Sequence, residues 1–398
     1  MKGSIVPAKP NDDLRRLGTI LLLGVIAGAS ARYVVNRAAA MRPARAPSRL
    51  IAWGQAQQVA LRVSQWEQAS IPDRAARRAQ YMRLVERSEP LIAEYLNVRL
   101  PQPINRVYVV DRREWLEANF ASFEVVFEPV EQLYSRVGAR QSAVGSALGQ
   151  INSKLVGSQM GILLGFIARR VLGQYDLSLL SPDPEVRGSL YFVEPNIARV
   201  QTQLGLSDED FRLWIALHEV THVFQFEGYP WVRPYFNDLL RQFMEQVSSQ
   251  LESLGVGLPQ LLSRLVQGRS SGRHWIERML TPEQQRIFDQ LQALMSLVEG
   301  YSNHIMNAIG GQLLPSFQQI EQRIQQRQHN RTLVEELFNR ITGMDLKLAQ
   351  YQQGEAFVNA VAAARGVPFV NQVWERPEHL PTMAEIRDPQ RWIARMGG

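Results

Sequence analysis

The chain contains no cysteine in 398 residues. Disulfides, thiolate nucleophiles and cysteine-ligated metal sites are excluded, and any metal must be held by histidine, aspartate or glutamate. Histidine is scarce too, at six. A basic surface stripe is also missing. The net charge is +6, but residues 1–50 carry nine Lys/Arg against only Asp12 and Asp13, so the rest of the chain comes to about −1. Without basic residues interleaved with aromatics, no nucleic-acid partner is expected. No 20–50-residue repeat is visible, which argues against a solenoid. A hydrophobic content of 45% with 21% charged residues is that of a globular chain.

A long apolar run is lacking as well. Leu17 to Ala31 is the apolar stretch of the basic head, and its fifteen residues fall short of the ~20 that span a bilayer. Continuing through Arg32 to Val35 makes it marginal, with Arg32 snorkelling. Three readings stay open: membrane contact through residues 17–35, a signal cleaved after Ala29-Ser-Ala31, or a helix packed on the body. Basic residues on both sides leave the orientation open. The expected place is the bacterial cytoplasm or the inner membrane. Arg42 to Ser48 (RPARAPS) reads as a linker. The expected organisation is therefore a basic N-terminal segment, 1–50, and one domain, 51–398.

The body has mainly helical periodicity. Asp73 to Leu96 and 112–136 have apolar residues three and four apart. Ile104 to Val110 and Arg187 to Asn196 are short, β-branched and aromatic, and read as strands. The fold class is mainly α with a small β-sheet. Gly145, Gly149, Ser153, Gly157, Gly161 and Gly165 recur every fourth residue. On a helix they form one bare stripe, which implies close backbone approach to another helix in a soluble hairpin. Glu252 to Gly272 is glycine-broken and is expected to form a flap. Phe317 to Arg331 reads as a solvated helix face.

Chemistry concentrates in LHEVTHVFQFEGYPW, Leu217 to Trp231. Ser207 is the expected N-cap, followed by Asp208, Glu209 and Asp210 at the positive helix end. Gly228 is expected to end the helix in the left-handed conformation, before Pro230. Apolar residues on most sides mark the helix as buried. His218 and His222, at i and i+4, face inward and converge on one ion. Zinc suits imidazole ligands in tetrahedral geometry. Glu219 lies about 100° around from His218, within reach of a metal-bound water without ligating.

A third ligand is expected from a later helix. Thr281-Pro-Glu-Gln284 is a capping-box start. Phe288, Met295, Glu299, Ser302 and Met306 then form a stripe in which Glu299 needs a partner, either an arginine or the ion. Zinc would lower the pKa of its water and polarise a carbonyl, with Glu219 moving the proton to the leaving amine. Oxyanion donors are open among Tyr229, Tyr235 and Tyr301. Ser189–Val193 is an expected edge for an extended peptide. His304 either contacts substrate or packs, and His274, His329 and His379 are expected on the surface. The rival reading is a catalytically silent, metal-binding assembly module at a membrane; Glu219 favours the enzyme.

WIALHEVTHVFQFEGYPWVRPY, Val171–Leu180, LYFVEPNI (Leu190–Ile197) and LVEGYSNHIMN (Leu297–Asn307) resemble a bacterial family of zincin-like hydrolases. Some members are labelled as associated with biosynthesis of a deazaflavin coenzyme. Asn119–Val130, Gln350–Glu355 and Val373–Pro381 extend the resemblance over roughly residues 50–395. It implies a zincin-like metallopeptidase core with one Zn2+, ligands His218, His222 and Glu299, base Glu219, and a peptide or amide substrate. Members often carry acids where this chain has Asn303 and Asn307, which implies reduced charge behind the metal ligands.

Overall fold

The computed structural model describes residues 49–68, 70–138, 143–176, 188–254, 280–329 and 344–397. The apolar run 17–35, the linker 42–48, most of the expected flap and His274 lie outside the described residues. The helices are α1 (Trp53–Ser64), α2 (Arg74–Leu96), α3 (Arg112–Gly138), α4 (Ala143–Ala168), α5 (Glu194–Leu204), α6 (Asp208–Glu227), α7 (Val232–Leu254), α8 (Pro282–Ile305), α9 (Phe317–His329), α10 (Met344–Arg365), α11 (Met383–Arg387) and α12 (Pro389–Met396). Among the described residues no helix is long and apolar enough to cross a membrane.

Among the described residues three strands, not the expected two, make the sheet. β1 (Val107–Val110), β2 (Gly173–Asp176) and β3 (Ser189–Val193) lie in the order β1-β3-β2. β1 is parallel to β3, with Val107 beside Leu190, and β2 is antiparallel to it, with Gly173 opposite Phe192. β2 escapes sequence reasoning because GQYD has no alternation of apolar residues. β3 is flanked on both sides, so the expectation that Ser189–Val193 offers a free edge is corrected. Its backbone donors and acceptors are already spent on two neighbours, and among the described residues the antiparallel edge strand is β2.

The sheet divides two apolar cores. Leu190 and Phe192 of β3 join the larger core with α2, α6, α8 and α10, whereas Tyr191 and Val193 face the smaller one with α1, α3 and α4. This is the period-two alternation of a strand buried on both faces. The glycine stripe finds its partner in the smaller core. A Cβ at Gly157 or Gly165 would lie 2.6 Å from the Ala52 or Ala60 carbonyl oxygen, and one at Gly161 would lie 2.7 Å from Val59 Cβ. The partner is α1, about a hundred residues away, and not a sequence neighbour in a hairpin.

α6 runs through the larger core. The Ser207 hydroxyl accepts from the Asp210 N–H at 3.4 Å, capping it as the sequence predicts. Its far end differs: Gly228 has φ −71°, ordinary right-handed geometry, because Pro230 breaks the helix just beyond it. Buried Arg212 donates to Glu194 and Asp208, and Glu194 also accepts from Tyr81 at 2.8 Å. These bonds pin the start of α6 to α5 and α2. The α8 capping box is complete, with Thr281 and Gln284 each accepting the other's backbone N–H. α8 continues into a π turn, Met306–Gly310. α9 buries Ile320 and packs Phe317 and Ile324 on the larger core, leaving Gln318, Gln319, Gln322, Gln325 and Gln326 outward, while Arg323 turns back to donate to the Leu204 and Gly205 carbonyls.

Candidate metal centre

The helical spacing brings His218 and His222 together on α6, with their Nε2 atoms 3.2 Å apart and rings crossed at 84°. α8 crosses α6 so that Glu299 Oε2 lies 3.6 Å from His218 Nε2 and 4.0 Å from His222 Nε2. One ligand atom from each residue falls within a 4.8 Å cluster. The α8 backbone is fixed behind Glu299 by its neighbour. Gly300 meets Gly354 of α10 backbone to backbone, and a Cβ on Gly354 would lie 2.6 Å from the Ser296 carbonyl carbon. Only glycine permits that approach.

The donor set fits a divalent ion such as zinc. Two imidazoles and one carboxylate converge, and thiolates are absent from the chain. Burial opposes charge on His222 and pushes its pKa down to about 4, with nearby His218 adding to the effect. A neutral ring is what a ligand must be. Burial also opposes charge on His218, but the hydrogen bond and charge of Glu299, with the charge of Glu219, outweigh it and hold its pKa above the ordinary value. Behind His222, the ring Nδ1 sits 2.8 Å from Gln225 Oε1 and 3.3 Å from Ser302 Oγ. Gln225 Nε2 donates to the Val298 carbonyl at 2.8 Å.

Glu219 does not join the ligand cluster. Its buried carboxylate turns to β2, where it accepts the Tyr175 backbone N–H. A Cβ on Gly173 would lie 2.6 Å from Glu219 Cγ, so the glycine makes room for this carboxylate. Burial raises its pKa to about 7; His218 opposes the rise and Glu299 adds to it. That is a value suited to taking a proton near neutrality. Val193 N donates to the Leu172 carbonyl at 2.8 Å, which makes Gly173 and Tyr175 the outward-facing positions of β2. That outward side therefore runs past Glu219, which takes its Tyr175 N–H. β2 is braced by the Tyr175 hydroxyl, which donates to Glu227 at 2.8 Å and accepts from Arg233 at 3.0 Å.

Other expected residues find different roles. His304 packs: its Nδ1 bonds Asn359 at 2.6 Å and its Nε2 bonds the Tyr95 hydroxyl at 2.7 Å. His379 is not a surface residue, because its side chain is only 12% exposed and contacts the Gln372 carbonyl and Arg376. Tyr301 is fully buried with its hydroxyl donated to Asn371 and cannot serve as an oxyanion donor. Tyr229 stacks on Trp374 and Tyr235 packs on Trp231. Asn303 and Asn307 do not back the metal ligands. Their amides donate to Glu355 of α10, at 3.2 and 2.8 Å. Gly173, Tyr175 and Gln225 have roles the sequence reading did not assign, and of these only Gln225, one turn beyond His222, carries a positional signal; Ser302 is on the α8 stripe with Glu299, but its bond to His222 is visible only in the fold.

A family model described as zincin-like metallopeptidase matches residues 51–393. Among solved structures, one described as a "putative hydrolase with a novel fold", from Chloroflexus aurantiacus, is 57% identical to this chain. The match covers 87% of this chain and 99% of that one, with a TM-score of 0.66. Nothing among the curated proteins matches.

Proposed function

The chain belongs to the zincin-like metallopeptidase family, and from that premise we propose that it is a zinc-dependent hydrolase of peptide or amide bonds. The observation that carries this reading is the convergence of His218, His222 and Glu299 within 4.8 Å, with Glu219 beside them but turned away from the ligand cluster. His218, His222 and Glu299 would hold one ion. When bound, such an ion supplies a Lewis acid that polarises a carbonyl and acidifies a water. Glu219 is the base: it takes the proton of the attacking water and delivers it to the leaving nitrogen. The Tyr175 N–H holds the Glu219 carboxylate in its place on β2. Among the described residues β2 is the antiparallel edge strand, and its outward backbone groups other than the Tyr175 N–H, which Glu219 takes, are offered to an extended peptide lying across the site, a role for which the flanked β3 is unsuited.

Metal analysis of protein purified without chelator tests the first half of this reading, with about one zinc per chain expected. A peptide library tests the second half: wild type cleaves, and Glu219→Gln keeps its zinc but does not. Absence of zinc would remove the metal site. Zinc with no amide hydrolysis would favour a silent metal-binding protein.

A further inference from the structure

We infer that Gln225 is a positioning residue that fixes the ligating tautomer of His222 and ties that ring to the helix carrying Glu299. This deepens the zinc reading and rests on it. Gln225 is fully buried. Its Nε2 donates to the Val298 carbonyl at 2.8 Å, and a carbonyl can only accept, so the orientation of the amide is determined. Its Oε1 therefore faces His222 Nδ1, at 2.8 Å. An amide oxygen also only accepts, so Nδ1 must carry the proton.

Ser302 accommodates the same choice without imposing it. Its hydroxyl is donated to the Val298 carbonyl at 3.0 Å, which leaves an oxygen lone pair toward His222 Nδ1 at 3.3 Å. With Nδ1 protonated, the Nε2 lone pair is the free one, and Nε2 is the atom beside His218 Nε2 and Glu299. The chain of bonds from His222 through Gln225 ends on Val298, the residue before Glu299. One amide thus couples the orientation of a ligand on α6 to the position of a ligand on α8. The partner behind a ligating histidine is commonly a carboxylate or a backbone carbonyl. Here a neutral amide serves, because it must both accept from the ring and donate to Val298.

Two substitutions test this. Gln225→Leu fills similar space but neither accepts nor donates. Gln225→Glu keeps an acceptor for Nδ1–H. The imidazole 15N shifts of His222 are read in the full-length protein stripped of metal, alongside thermal midpoint and zinc affinity by chelator competition. Gln225→Leu is expected to mix the two tautomers and weaken zinc binding by about 10- to 100-fold. Gln225→Glu is expected to keep the Nδ1–H form but to lose the bond to the Val298 carbonyl, so zinc binding weakens less than in Gln225→Leu. A folded Gln225→Leu protein with unchanged tautomer and affinity would show that Gln225 only packs. If Gln225→Leu does not fold, Gln225→Glu decides, and loss of the Nδ1–H form in it overturns the inference. Should wild type bind no zinc, the zinc reading fails separately, and the tautomer of the metal-free ring still tests Gln225.

Discussion

Two helix pairs in this protein are joined by opposite means. α1 and α4 meet where side chains are nearly absent, with Gly157, Gly161 and Gly165 set against Ala52, Val59 and Ala60. α6 and α8 meet through polar groups: Gln225 on Val298, Ser302 on His222, and His218 beside Glu299. The first contact is determined mainly by shape. Gly157, Gly161 and Gly165 carry no side chain to direct, and the hydrogen bond from Gln55 to Ser158 at 3.4 Å lies beside them, so the contact holds structure. The second is determined by hydrogen-bond direction. Gln225, Ser302 and His222 are buried and each must be satisfied, and the ligand atoms of His218, His222 and Glu299 face one another. Helix packing becomes a scaffold or a site according to what stands at the crossing. α8 uses both devices, with Gly300 on one face and Glu299 on the next.

The largest effect should come from the polar crossing. Glu219→Gln is expected to cut hydrolysis by about 10²- to 10⁴-fold, with zinc content and thermal midpoint held, as measured by kcat/KM and metal analysis. A parallel fall in the thermal midpoint would mean that the carboxylate is structural. Next comes the bare crossing. Gly161→Val drives a branched side chain into Val59 and the Ala56 carbonyl, with an expected loss of about 3 kcal/mol in urea unfolding. The fraction that remains folded should bind zinc normally. If it does not, the two crossings are one unit.

A smaller effect is expected at Glu355. Burial already raises its pKa, and the Asn303 and Asn307 amides work against the rise. A carboxyl whose folded pKa is raised favours the folded state below its unfolded pKa, near 4.5, and that contribution is lost as pH rises through the folded value. Asn307→Asp replaces a donor by a like charge, and should cost about 1 kcal/mol at pH 8 and little at pH 4. Urea midpoints at the two pH values check this, and a pH-independent loss would contradict it. The smallest effect is a titration of the metal-free protein by NMR. His218 should take its proton first, above the ordinary value of 6.5, and His222 only near pH 4. The His218 contribution to stability is present below its unfolded pKa and disappears as pH rises through the folded one. The reverse order of protonation would mean that Glu299 is aimed at the other ring.

Most of the helical pattern was legible because helix signals are local. The Ser207 cap and the Thr281–Gln284 capping box each depend on residues three apart. The stripe on α4 was legible as a stripe, but its partner was not, since nothing in residues 143–168 points to Ala52. β2 was hidden because four residues with one glycine and one aspartate make no pattern. The roles of Asn303 and Asn307 were misread for a related reason. The acids that the resembling family carries at these positions suggested the metal, whereas the crossing of α8 with α10 turns their amides to Glu355.

The sequence by itself determined the pair of imidazoles, since residues four apart on a helix share a face wherever that helix is placed. It also determined the carboxylate between them and the one waiting on α8. Only the tertiary structure decided how these groups are directed. Gln225 reaches Val298 across 73 residues, Asn307 reaches Glu355 across 48, and Glu219 finds the Tyr175 N–H on a strand with no signature. A local motif supplies the reactive groups because backbone geometry spaces them. Their aim comes from hydrogen bonds between distant segments, which exist only once the cores on either side of the sheet have brought those segments together.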